Sequence, residues 1–209
     1  MKLTEHFTLA EFERSATAAR LHIDNRVPAE LVPNIRNLCE QVLEPLREHF
    51  QEAVYVTSGY RCPQLNSAVG GVANSQHMRG EAADICPLRA CPSPDPSPVR
   101  EGRGGCSTEA DICPLRAASP SPLPNRGGVG GGACSTAAVR MVPDSTSPEA
   151  RKKMREWAEW IMDNCPFDQL LRERRGQSCW LHVSLRPSGE NRQMVRKIER
   201  KENKGKEKN

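Results

Sequence analysis

The stretch Ser75-Gln76-His77-Met78-Arg79-Gly80-Glu81-Ala82-Ala83-Asp84 decides how this chain is read. A neutral imidazole and a carboxylate are ligands of the kind zinc takes. Gly80 lets the backbone turn between His77 and Asp84, and Ala82-Ala83 lets the Asp-bearing segment pack tightly. A third ligand stands far downstream, His182 in Trp180-Leu181-His182-Val183-Ser184. Alternation there points Leu181, Val183 and Leu185 at a core and Trp180, His182 and Ser184 the other way. Two His and one Asp, with a fourth position left for water, is the ligand count of a catalytic rather than a structural zinc site. The residues point to a zinc peptidase.

Upstream of this stretch, Thr8-Leu9-Ala10-Glu11 has the pattern of a capping box, with Phe7 placed to staple a short helix. A longer helix is expected over 33–50, its apolar stripe being Ile35, Leu38, Val42, Leu46 and Phe50. Pro45 falls inside it and should kink it or remove a hydrogen bond. Residues 53–57 read as a strand and Ser58-Gly59-Tyr60-Arg61 as the turn leaving it. Arg61 suits a carboxylate or peptide carbonyl of a substrate through its fork of donors. A short helical segment carries Asn66, a turn follows at Gly70-Gly71, and 81–85 is the strand that bears Asp84. His22 and His49 have no acidic or His partner in a motif and read as surface or packing residues.

Downstream, the character changes abruptly. Ala83-Asp84-Ile85-Cys86-Pro87-Leu88-Arg89-Ala90 recurs 27 residues later, from Ala110 to Ala117. Each copy runs into a Pro/Ser-rich stretch and then a Gly-rich one. Two copies are too few for a solenoid, and neither has enough large apolar residues to offset its ordering entropy. A disordered insertion is expected over roughly 86–140, with the whole segment 86–146 outside the fold. Asp111 repeats Asp84 in letter only, because no His stands seven residues before it. Regular structure is expected again from Ser147, with a helix to about Asn164 burying Met154, Trp157, Ala158 and Ile161. Residues 167–173 and 179–185 read as the two strands of a hairpin that presents His182.

The chain has 209 residues and a net charge of +4, enough for one domain with extensions. Its expected organisation is one zinc peptidase domain (1–85 plus 147–198), the insertion (86–146) and a charged tail (199–209). From Arg192 onward Lys, Arg and Glu dominate, which reads as a fraying helix and then a solvated tail. No apolar run is long enough for a membrane span, and the N-terminus lacks a signal-peptide core. Synthesis in the cytoplasm is therefore expected. None of the nine cysteines forms a Cys-x-x-Cys pair, so free thiols are expected rather than a zinc ribbon or disulfide framework.

Ser58-Gly59-Tyr60-Arg61, Asn66, Gly71, the Ser-x-His-x-x-Gly-x-Ala-x-Asp run at 75–84 and Trp-x-His at 180–182 resemble the zinc D-Ala-D-Ala carboxypeptidases. These form the peptidase M15 family, which also holds peptidoglycan endopeptidases. The opening His6-Phe7-Thr8-Leu9-Ala10-Glu11-Phe12 and Val42-Leu43-Glu44-Pro45-Leu46-Arg47 look like its short, single-domain phage and bacterial type. The resemblance covers about 3–85 and 147–198. It implies an α+β fold, a small antiparallel sheet with flanking helices of the D-Ala-D-Ala carboxypeptidase/hedgehog-like kind. It also implies Zn2+ on His77, Asp84 and His182, and hydrolysis of peptidoglycan stem peptides by a monomer, with no nucleic acid as partner. The product would act on the cell wall, including by phage-type lysis. Ser75 would support the metal by a hydrogen bond, with Asn66 and Trp180 near it or the substrate, and Arg61 would hold the substrate.

One departure stands out. Many relatives carry an acidic residue three positions before the last His as catalytic base, and here that position is Cys179. Glu173 is the first replacement candidate and Asp168 the second. Two alternatives accompany this reading. One is an inactive homologue that binds cell wall, suggested by an insertion directly behind a ligand. The other is a nucleic-acid-binding protein using the basic tail.

Overall fold

The computed structural model describes residues 1–91 and 140–200. In α1 (Leu9–Glu13) the capping box forms: the Glu11 carboxylate accepts the Thr8 N–H at 2.7 Å and the Thr8 hydroxyl at 2.9 Å. Ser15 starts α2 (Ala16–Arg20) by accepting the Ala18 N–H. A 3-10 turn at Ala29–Leu31 leads into α3 (Val32–Leu38), which passes through a π-type turn at Cys39–Leu43 into α4 (Glu44–Phe50). That wide turn is how the helix gets past Pro45. The Glu44 N–H reaches back to the Cys39 carbonyl, so the helix continues where a regular turn would clash. The expected stripe is buried at Ile35, Leu38, Val42 and Leu46, and the wide turn adds Cys39 and Leu43 to it.

The strand β1 (Val54–Ser58) leads through a turn to α5 (Pro63–Ala68), and the chain then enters β2 (Ala82–Cys91). After the undescribed segment come β3 (Arg140–Pro143), α6 (Pro148–Asn164), β4 (Gln169–Arg175), β5 (Ser178–Ser184) and β6 (Met194–Arg200). The sheet order is β1-β2-β5-β4-β6, with β3 also pairing β2. Regular structure thus runs past Ile85 to Cys91 and resumes at Arg140, inside the stretch that composition alone assigns to the insertion. The reason is local: Cys86 is fully buried, and Pro87 accepts the Asp144 N–H at 2.8 Å. The expectations of a disordered insertion and a duplicated Asp111 fall on 92–139, outside the described residues, as does the tail from 201.

The α+β class is as expected, but the sheet is mixed rather than wholly antiparallel. β4 pairs β5 antiparallel and β6 in parallel, from Gln169↔Met194 to Arg175↔Arg200. The expected fraying helix near the C-terminus is therefore a strand. The open edge of β4 offers backbone donors and acceptors that β6 takes up. One face of the sheet packs Ile85, Leu170, Leu181 and Val183 into a core with Leu38, Leu46, Met154, Trp157 and Ile161 of the helices. Each large apolar side chain buried there contributes about 1.5–3 kcal/mol. In α6 the buried positions Met154, Trp157, Ala158 and Ile161 are those its periodicity predicts. No helix among the described residues is long and apolar enough to cross a membrane.

Candidate metal centre

His77 lies in a single 3-10 turn, Gln76–Arg79, closed by Gly80 in the left-handed region (φ 67°). A Cβ on Gly80 would also press on the Leu31 carbonyl at 3.1 Å, so the turn sits against the start of α3. The imidazole is fixed from behind: His77 Nδ1–H donates to the Gly59 carbonyl at 2.7 Å, which leaves Nε2 with its lone pair facing forward. Gly59 is held in turn by close packing, since a Cβ there would meet Phe12 Cα at 2.5 Å. The Tyr60 N–H donates to the Phe12 carbonyl beside it. Helix α1 thus positions the residue that orients the first ligand.

Sheet register brings in the other two. Asp84 on β2 lies directly across from His182 on β5, and Leu171 on β4 lies across from His182 on its other side. His182 Nδ1 is 2.9 Å from Asp84 Oδ1 and 3.2 Å from His77 Nε2, and that nitrogen is 3.3 Å from the same Asp84 oxygen. Three side chains thus converge three ligand atoms, and all three residues are buried. With bonds of roughly 2.0–2.1 Å, three corners of a tetrahedral site lie about 3.4 Å apart. The triangle is near that size, so the donor set fits a small divalent cation after slight expansion.

The electrostatics suit a cation. Burial alone would raise the Asp84 carboxyl, but the adjacent imidazoles, by charge and hydrogen bond, hold it well below the usual carboxylate range. Burial pushes the His77 pKa down against the pull of Asp84. The second Asp84 oxygen accepts from Arg61 Nη2 at 2.7 Å, and Arg61 Nε donates to Ser58 Oγ at 2.9 Å. Arg61 thus steadies a ligand while also lining the cavity. Ser75 heads the 3-10 turn and is buried against the cavity. The bonds that fix the ligands come from Gly59 and Arg61, which sequence reasoning did not assign to that task.

These groups form the floor of an open cavity of about 780 Å³, whose lining also includes Glu173 and Trp180. Glu173 is buried on the cavity face of β4, directly across from Trp180, and one step along that face from His182. Asn66 is buried outside the lining. Its Nδ2 donates to the Val72 carbonyl at 2.9 Å and its Oδ1 packs on Gly71, so it shapes the loop over the cavity.

Asp168 is placed differently from a base. It is fully buried beneath Arg186 and Arg192 and is absent from the lining. Cys179 stands an odd number of positions from His182 on an unbroken strand, so it faces the core side. Its thiol donates to the Ser145 carbonyl at 2.9 Å, and burial raises its pKa. The five described free cysteines include no Cys among the grouped ligands.

Residues 5–93 match the family model described as Peptidase M15. Over those residues the chain is similar to the peptidase M15 family. No curated protein matches it. The family match takes in His77 and Asp84 but stops well before His182, which the sheet brings to them. That similarity supports a peptidase role, and His77, Asp84 and His182 form a possible metal-binding group in this chain.

Proposed function

We propose that this chain is a zinc-dependent peptidase of the M15 kind that hydrolyses peptide bonds of peptidoglycan stem peptides, acting as a monomer on the cell wall. The observation that carries the reading is the convergence of His77 Nε2, Asp84 Oδ1 and His182 Nδ1 at the floor of a polar, peptide-sized cavity. His77, Asp84 and His182 hold the ion. When bound, zinc supplies Lewis acidity, which polarises a carbonyl and lowers the pKa of a coordinated water towards about 7.

The chain's own residues do the rest. Glu173 takes a proton from the attacking water and hands it to the leaving amine. Its register supports the role: a diagonal neighbour on one sheet face lies about 7–8 Å away, which leaves room for a water between it and His182. Arg61 holds Asp84 in place through its Nη2 bond to the second carboxylate oxygen. Trp180, half-buried beside Glu173, offers a flat apolar wall to the substrate backbone.

Purified protein with zinc, incubated with peptidoglycan, should release peptide fragments whose masses identify the bond cut. Glu173→Gln should keep its zinc and lose on the order of a hundredfold in turnover. Wild-type turnover in that variant would move the base elsewhere, and intact peptidoglycan after incubation with zinc-loaded wild type would sink the peptidase assignment.

A further inference from the structure

The wall of the cavity formed by β4, residues 185–193 and β6 has a chemistry that the metal group does not account for. Arg175, Arg186, Arg192 and Ile198 line it. Behind it lies Asp168, with no exposed surface. Arg192 grips that carboxylate with Nε, at 3.0 and 3.2 Å from its two oxygens, and with Nη2 at 2.5 Å. The Arg192 backbone N–H adds a fourth bond at 3.0 Å. Arg186 approaches the same carboxylate with its Nε at 3.0 Å. Its backbone is fixed as well, because the Arg186 N–H donates to Asn191 Oδ1 at 2.9 Å.

One carboxylate thus carries two guanidiniums, and the charge does not close. Of the five arginines that line the cavity, Arg61 is matched by Asp84 and Arg79 by Glu81. Beyond those pairs the lining holds one more acid, Glu173, with Asp168 behind the wall; no lysine or further acid lines the cavity among the described residues, and a divalent metal would add to the excess. An arginine bound through Nε keeps its outer pair of Nη groups for another planar anion, and that edge matches a carboxylate with two parallel hydrogen bonds. Pre-fixing the guanidinium on a buried partner lowers the entropy lost when a ligand binds. A structural staple alone needs only the Arg192 grip, whereas Arg186 adds a second cation that opens to the cavity.

We propose that Arg186, fixed by Asp168 beside Arg192, is a carboxylate-binding subsite that selects peptides carrying a free carboxylate near the scissile bond. The inference rests on the peptidase reading for its substrate but not for its binding test. The carboxylate has two possible sources, the C-terminus of the peptide or an acidic side chain.

Calorimetric titration of the metal-free full chain separates them. The probes are acetyl-Lys-D-Ala-D-Ala and its C-terminal carboxamide, then acetyl-Ala-D-Glu-Lys-amide and its D-Gln counterpart. One acid should bind about tenfold or more tightly than its neutral partner, the scale of a bidentate charge-assisted pair. The first pair reports a C-terminal carboxylate and the second a side-chain one. Arg186→Gln should bring that ratio below about twofold. Arg186→Lys, which keeps a charge for Asp168 but loses the fork, should lose most of it too, and it serves if the Gln variant does not fold. Equal affinity of acid and neutral peptide in both pairs, no saturable binding of either acid, or a ratio that survives both variants overturns the subsite. Hydrolysis after adding zinc is scored separately: an intact preference without cleavage counts against the peptidase reading alone.

Discussion

His182 joins the metal group from a strand remote in sequence, so it is the residue whose loss should tell most. His182→Ala removes one of three ligand atoms without touching the core face of β5, where Leu181 and Val183 are fully buried. Zinc titration should show tight binding abolished while far-UV circular dichroism stays unchanged; stoichiometric zinc retained by the variant would refute the ligand set. Cys179 is the opposite case. An acid in that slot would lie on the core side of the strand, in the place of a thiol that donates to Ser145. Cys179→Asp should therefore lower the melting temperature by burying a carboxylate, and should bring no gain in turnover. Asp168 predicts a pH effect. Burial alone would raise its carboxyl, but the Arg192 fork, helped by Arg186, brings it from an ordinary 3.8 to about 2. A lowered folded-state pKa means stability that is present above pH 4 and is lost as pH falls towards 2. The contribution is at most about 2.5 kcal/mol, less after solvent screening at the half-open Arg192 head group. Acid unfolding of Asp168→Asn, already weakened at neutral pH, should lose that part of the pH dependence.

Elements carry the site as much as residues do. The junction of α1 with the turn after β1 holds the Gly59 carbonyl against His77. Gly59→Ala should push α1 away and cost about 10–100-fold in zinc affinity, the usual range for a disturbed ligand-orienting bond. Zinc affinity equal to wild type would show that His77 is oriented by something else. Ending the chain after Gln193 removes β6, frees the edge of β4 and takes Ile198 out of the cavity wall. A fall of several degrees in melting temperature is expected. The same elements show what sequence can and cannot reveal. The capping box at Thr8, the α6 stripe and the two faces around His182 are local patterns, and the structure repeats them. β6 was illegible because Met194, Val195 and Ile198 have helix-like spacing. What decides their state is the unpaired edge of β4, which lies far back in the chain. The wide turn before Pro45 was illegible for a related reason: sequence marks the obstacle but not the accommodation.

At the scale of the molecule, the sheet joins two stretches of chain that composition separates. β2 leaves the described fold at Cys91 and β3 re-enters it at Arg140 on the neighbouring strand. Replacing 92–139 by a short Gly/Ser linker should leave zinc affinity unchanged and melting temperature equal or higher. Each doubling of a flexible loop costs only about 0.6 kcal/mol of closure entropy, so shortening one cannot destabilise the ends by much. A collapse of folding in that variant would show that the segment is part of the domain. His77, Asp84 and His182 could be named from sequence, but the register that brings residue 84 against residue 182 is a property of the folded sheet. A metal ion held by that group would act as a clasp between the two halves of the polypeptide. A chain nicked once between 92 and 139 should behave as a split protein: two fragments that stay together through β2 and β5, come apart more readily when a chelator takes the metal, and recover activity only on reassembly.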